Sequence, residues 1–136
     1  SYTVRDVACD YLKELVKSDS ATWQPVYNEM FSWKITDVYW NTSADSTTQV
    51  SSIKSGSPVY FHFEISGGEP GAGMVPYYRV FWSDGSRNDL RKFDDEYKDG
   101  HSGYIYWDKL SYKGKVTIKI YDGNKKEIGS GSVTMK

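Results

Sequence analysis

The chain has 136 residues, with 17 Lys and Arg against 18 Asp and Glu and a formal charge of -1. That length fits one domain able to bury its own core, and that balance supplies no field for holding a polyanion, so no nucleic-acid partner is expected. Cys9 is the single cysteine, which excludes an intrachain disulfide framework and an all-cysteine zinc site and leaves it as a small buried apolar residue. No apolar run approaches the ~20 residues a membrane span requires, and no basic leader followed by an apolar stretch opens the sequence.

Val4, Val7, Ala8, Tyr11, Leu12, Leu15 and Val16 recur at helical steps and predict an amphipathic helix from Thr3 to Lys17. Thr3 and Asp6 resemble a capping box with a shorter acid in the second role. Val4, Val7, Tyr11, Leu12 and Leu15 are the expected buried stripe, covering a sheet face or an open edge. Ser18-Asp19-Ser20 ends the helix. Beyond it, Thr22 to Phe31 reads either as a short helical turn, with Thr22 as N-cap and Pro25 in the first turn, or as an irregular apolar segment.

Period-2 alternation takes over from there. Trp33 to Asn41 is the first predicted strand. The polar stretch from Thr42 to Gly56 is a loop or hides a weak edge strand around Gln49 to Ile53. Pro58 to Ile65 is the second strand, ended by the turn cluster Gly67-Gly68-Glu69-Pro70-Gly71. Pro76 to Ser83 is the third, apolar on both parities as a doubly covered strand would be. Asn88 to Phe93, Gly103 to Trp107, Lys115 to Tyr121 and Glu127 to Met135 follow, the last two joined by the hairpin signal Asp122-Gly123-Asn124. The expected fold is mainly β: a seven-stranded antiparallel immunoglobulin-like sandwich over residues 32–136, with an N-terminal helical segment, 1–31, packed on it.

From Gly114 to Lys136 the text Lys-Val-Thr-Ile-Lys-Ile-Tyr-Asp-Gly-Asn, then Ile128-Gly129 and a closing strand, resembles the terminal hairpin of bacterial immunoglobulin-like and fibronectin-III-like domains. Trp82 falls where such domains place a core tryptophan. The core cysteine pair of antibody domains is absent, and the helical segment is foreign to the usual module. What the resemblance implies is an exported or surface accessory domain of a bacterial protein, with no site residues to carry over.

Aromatic residues make up 16% of the chain, 12 of them Tyr and 5 Trp, more than one sandwich interior accommodates. Some rings must therefore face solvent. If Tyr60, Tyr104 and Tyr106 share an outward face, they form a ligand-binding platform of the kind carbohydrate-binding modules use; otherwise they are structural tyrosines on half-exposed strands. His62 and Glu64 read as an exposed pair, and neither His62 nor His101 sits at a metal-ligand spacing. Asp94 to Asp99 invites a calcium reading, but an EF-hand register from Asp95 places Tyr97 and Tyr106 at two ligand positions, so a flexible acidic loop is expected. The lysines at 109, 113, 115, 119, 125 and 126 and the acids between Asp84 and Asp99 read as solvated faces and edges. Asn41-Thr42-Ser43 matches the glycosylation acceptor pattern.

No serine sits in a nucleophile elbow, and the one glycine-rich loop joins two strands rather than a strand and a helix, so no enzyme, metal or cofactor is expected. With the resemblance, which implies an exported or cell-surface bacterial protein, the expectation is a spacer or protein-binding unit of such a protein. The alternatives are a polysaccharide-binding module working through exposed Trp and Tyr, and a small inhibitor or immunity-type protein acting through a loop such as 67–73.

Overall fold

Strand β3 carries the alternation that organises the fold: its Val59, Phe61, Phe63 and Ile65 are all fully buried. The computed structural model describes residues 1–136, in the order α1 (Val4–Ser18), α2 (Ser20–Phe31), β1 (Lys34–Asn41), β2 (Ser52–Ile53), β3 (Ser57–Ser66), β4 (Gly73–Met74), β5 (Tyr77–Trp82), β6 (Arg91–Lys92), β7 (Tyr97–Lys98), β8 (Ser102–Leu110), β9 (Gly114–Tyr121) and β10 (Glu127–Met135). A three-stranded sheet, β1-β3-β8, faces a five-stranded sheet, β2-β10-β9-β5-β6, and β4 pairs with β7 apart from both. Each of the seven predicted runs has its strand. The weak edge strand is the two-residue β2, parallel to the end of β10; the β4–β7 pair was not anticipated.

Between the sheets, the β3 side chains meet Val116, Ile118 and Ile120 of β9 and Val133 and Met135 of β10. Each fully buried side chain of this size contributes about 1.5–3 kcal/mol. The layers come close at Gly131, where a β-carbon would lie 2.6 Å from Phe61 Cε1 and 3.2 Å from Trp40 Nε1. The fully buried tryptophan is Trp40 of β1, not Trp82. Trp82 sits at the rim, its indole N–H donating to Asn88 Oδ1 at 2.8 Å. Nor is β5 enclosed on both faces: Val80 alone is buried, because no second layer covers the outer face of its sheet. Lysines cover its outward rings instead, with Lys119 Nζ 4.9 Å from the Phe81 centroid and Lys125 Nζ 5.5 Å from that of Tyr77.

The capping box forms, with the Thr3 hydroxyl accepting from Asp6 N–H at 3.2 Å and Asp6 accepting from Thr3 N–H at 2.6 Å. Asp19, not Thr22, caps α2, accepting the Thr22 N–H at 3.2 Å. Pro25 lies inside α2, past its first turn, where it leaves the Ala21 carbonyl without its i+4 donor. The predicted stripe of α1 is only half correct. Cys9 and Leu12 are buried against Phe31, with Leu15, Trp23 and Tyr27 around them, whereas Val4, Val7 and Tyr11 face solvent. The helix uses the face that meets α2, not one that meets a sheet. Arg5 Nη2 donates to the Gly68 carbonyl at 2.6 Å and Lys13 pairs with Glu69 at 3.0 Å, which ties the helical pair to the β3–β4 loop. Gly68 has φ +73° beneath the Trp33 ring, and any β-carbon there would collide with that ring.

Candidate functional site: the aromatic face of the three-stranded sheet

Because side chains alternate along a strand, residues paired across three strands form rows on one face. The register places Tyr39, His62 and Tyr104 in one row and Asn41, Tyr60 and Tyr106 in the next, with Thr36, Glu64 and Ser102 beside them. Tyr60, Tyr104 and Tyr106 therefore do share the outward face. The Tyr60 and Tyr106 rings are parallel within 10° at 5.4 Å, and Tyr104 stands edge-on to both, at 73° and 72°. Tyr104 and Tyr106 remain 44% and 54% exposed.

His62 departs from the sequence reading. It does point outward, but it is only 5% exposed, because the 42–48 loop folds back over it and the Tyr39 ring stacks on it at 4.4 Å and 7°. Its Nε2 lies 2.9 Å from Asn41 Oδ1 and 3.0 Å from the Ser43 carbonyl. Both are acceptors, the Asn41 oxygen being assigned by the amide nitrogen's donation to the Ser46 carbonyl at 2.8 Å, so Nε2 carries the proton. Burial pushes the imidazole below its ordinary value of 6.5, opposed by the bond to Ser43. The ring is thus a neutral strut for the loop and makes no pair with Glu64, whose carboxylate accepts from Thr36 at 3.3 Å. The Asn41 amide is buried and bonded, which closes the glycosylation acceptor.

Beside these rows runs a groove of about 650 Å³, lined by Asp37, Tyr39, Thr47, His62, Glu64 and Tyr104 among others, and by no Lys or Arg. Asp37 has φ +51° at the bulge between Thr36 and Tyr39; a non-glycine residue held there marks a local constraint next to the groove. The two outer faces of the sandwich thus differ in kind. Lysine ammonium groups lie over the rings of the five-stranded sheet, while on the three-stranded sheet Tyr104 and Tyr106 stand exposed near Asp37 and Glu64.

The other sequence candidates end elsewhere. His101 Nδ1 accepts the Lys98 N–H at 3.1 Å and shapes the turn into β8. The acidic segment is partly ordered as β7, and Asp99 holds the Gly67 N–H at 2.8 Å. Tyr39, Asp37 and the buried role of His62 were missed. Parity alone places Tyr39 against Trp40, but the bulge and the returning loop are long-range features with no local signal.

Among solved structures, the chain is similar to an immunoglobulin-like protein from Pseudomonas aeruginosa, with 12% identity, 79% of this chain and 98% of that one covered, and a TM-score of 0.53. The fold is immunoglobulin-like. It is also similar to the alkylpurine DNA glycosylase AlkC of Pseudomonas fluorescens, bound to DNA containing an abasic site analogue, with 13% identity and a TM-score of 0.52 over 100% of this chain. The immunoglobulin-like chain spans about half, 48%, of that glycosylase. At these identities the likeness concerns the fold alone. No protein-family model and no curated protein matches the sequence.

Proposed function

We propose that this immunoglobulin-like domain is a non-enzymatic binding module of an exported or cell-surface bacterial protein, and that it holds a protein partner on the outer face of its three-stranded sheet. The carrying observation is the cluster of half-buried Tyr39 and Tyr60 with exposed Tyr104 and Tyr106 beside a groove. Exposed tyrosines gather at contact surfaces because each buries a large rigid ring and keeps a polar tip. Their tilts favour a protein over a polysaccharide. A sugar platform wants rings lying flat in one plane, whereas Tyr104 stands edge-on to its two neighbours. The polysaccharide reading keeps one support, the parallel Tyr60–Tyr106 pair next to hydroxyls and carboxylates able to bond vicinal sugar hydroxyls. Nucleic acid is disfavoured, since Asp37 and Glu64 line the groove and no cation does.

The test compares the native chain with a Tyr104→Ser, Tyr106→Ser double variant. Both side chains are exposed, so the variant folds. Proteins displayed on bacterial surfaces are offered to each, and soluble wall polysaccharides are run in parallel. Retention of a protein by the native chain and its loss in the double variant supports the reading. Equal retention by both refutes it, and retention of polysaccharide alone transfers the site to the second reading.

A further inference from the structure

Sheet edges expose backbone donors and acceptors that invite another strand, and folded proteins ordinarily close them. The edges of the sandwich differ in how much backbone they leave unpaired. The Trp40 carbonyl of β1 accepts the Val50 N–H at 2.9 Å and the Trp40 N–H reaches Gln49 Oε1 at 3.1 Å, while the same strand is bulged at Asp37. In the five-stranded sheet the Asn88 N–H covers the Val80 carbonyl of β5 at 2.9 Å beside β6, while β2 pairs only with Thr134 and Met135 at the end of β10. β8 is the longest strand paired on one side alone, nine residues on β3, and its bulge at Asp108 and Lys109 leaves the stretch from Ser102 to Trp107 regular.

The phase of the β3–β8 ladder follows from one bond, Ile65 N–H to the His101 carbonyl at 2.8 Å. It makes Glu64–Ser102 a non-hydrogen-bonded pair, so Gly103 and Ile105 exchange bonds with β3, while Tyr104 and Tyr106 turn their own N–H and C=O groups to the open edge. No protein group bonds to them there. The same two residues carry the most exposed rings of the aromatic face. A residue paired opposite either one would set its side chain on that face, with its β-carbon ~4.5–5.5 Å from the tyrosine's. Charge then bears on that residue: Glu64 lies one strand in, and Asp37 lies beside it along the groove with no Lys or Arg, whereas Asp108 and Lys109 sit together in the bulge beyond Trp107.

We infer that β8 is a docking edge for an extended basic polypeptide segment, which adds as a fourth, antiparallel strand with Lys or Arg opposite Tyr104 and Tyr106. Backbone pairing supplies the register, and the cations gain the tyrosine faces together with the Glu64 carboxylate. This rests on the reading of Tyr104 and Tyr106 as part of the contact surface and names the chemistry of the partner.

The test is an amide NMR titration of the full chain with a synthetic peptide of alternating lysine and threonine. Expected are saturable shifts of the Tyr104 and Tyr106 amides and slowed exchange of both. In the proposed register the lysines present their backbone to β8, so N-methylation of the lysines weakens binding roughly tenfold or more, whereas N-methylation of the threonines leaves it unchanged. A glutamate-for-lysine peptide fails to bind. Equal binding by the lysine-methylated peptide, or shifts located away from β8, overturns the inference. The two readings fail separately. If the Tyr104→Ser, Tyr106→Ser variant loses its protein partner while no peptide moves the β8 amides, the face stands and the added strand falls. If the variant keeps its partner while the lysine peptide docks on β8, the edge stands and the face falls.

Discussion

Replacing His62 with Phe isolates the strut that holds the 42–48 loop over the aromatic face. The ring that stacks on Tyr39 is kept, and what disappears is the Nε2–H shared by Asn41 Oδ1 and the Ser43 carbonyl. Asn41 Oδ1 retains the Ser43 N–H at 3.1 Å, so the main loss is one part-buried carbonyl left without a donor, which costs about 1–3 kcal/mol. A chain of 136 residues, at about 2.1 cal/mol/K per residue, loses about 0.3 kcal/mol per degree near its midpoint, so the expected drop is roughly 3–10 °C in Tm. The pH dependence carries a second signature. Burial depresses the folded-state pKa of His62 below 6.5, so on acidification the unfolded chain takes the proton first. Stability from this group is complete above about pH 6.5 and is lost as pH falls through the folded pKa. Thermal unfolding followed by circular dichroism at pH 7.5 and pH 5 reads both effects: the deficit of His62→Phe is largest at pH 7.5 and shrinks at pH 5. A variant as stable as the native chain at pH 7.5, or one with the native pH slope, refutes the strut.

Gly131→Ala puts a methyl 2.6 Å from Phe61 Cε1 in an interior with no slack, and should cost about 1–3 kcal/mol in urea unfolding; an unchanged midpoint would show that the sheets are less closely apposed. Ile118→Ala empties a fully buried position between the layers and should cost about 2–5 kcal/mol by the same assay. Leu12→Ala removes a central contact of the helical pair, while no helix residue belongs to the sandwich core; hydrogen exchange should therefore accelerate in α1 and α2 and stay unchanged in β3 and β9, and acceleration throughout would mean that the two cores unfold as one.

The parts legible in the sequence were those set by neighbours along the chain. Glu127 to Met135 was delimited correctly because Asp122-Gly123-Asn124 fixes a hairpin locally: the Asp122 carboxylate accepts the N–H groups of Asn124 and Lys126 at 2.8 and 3.0 Å. In β3 the alternation of Val59, Phe61, Phe63 and Ile65 with Tyr60, His62 and Glu64 is itself enough to tell the inward side chains from the outward ones. Parity puts Tyr104 and Tyr106 on one side of their strand but leaves their relation to Tyr60 a condition; only the register, which pairs Tyr60 with Tyr106 and His62 with Tyr104, makes the three neighbours. His62 was misread because its cover comes from a loop about twenty residues away, and the β4–β7 pair because two residues make no period. The stripe of α1 was displaced because helical spacing allows several apolar faces, and the partner helix chose the one through Cys9 and Leu12.

Site-specific photocrosslinking tests the contact surface most directly. p-Benzoylphenylalanine is placed in turn at Tyr106, on the open face, and at Phe81, on the outer face of the five-stranded sheet, and each protein is irradiated against bacterial surface proteins. A covalent adduct at position 106 and none at position 81 is the predicted result. An adduct at 81 alone would contradict the account, because it would put the partner on the lysine-covered face.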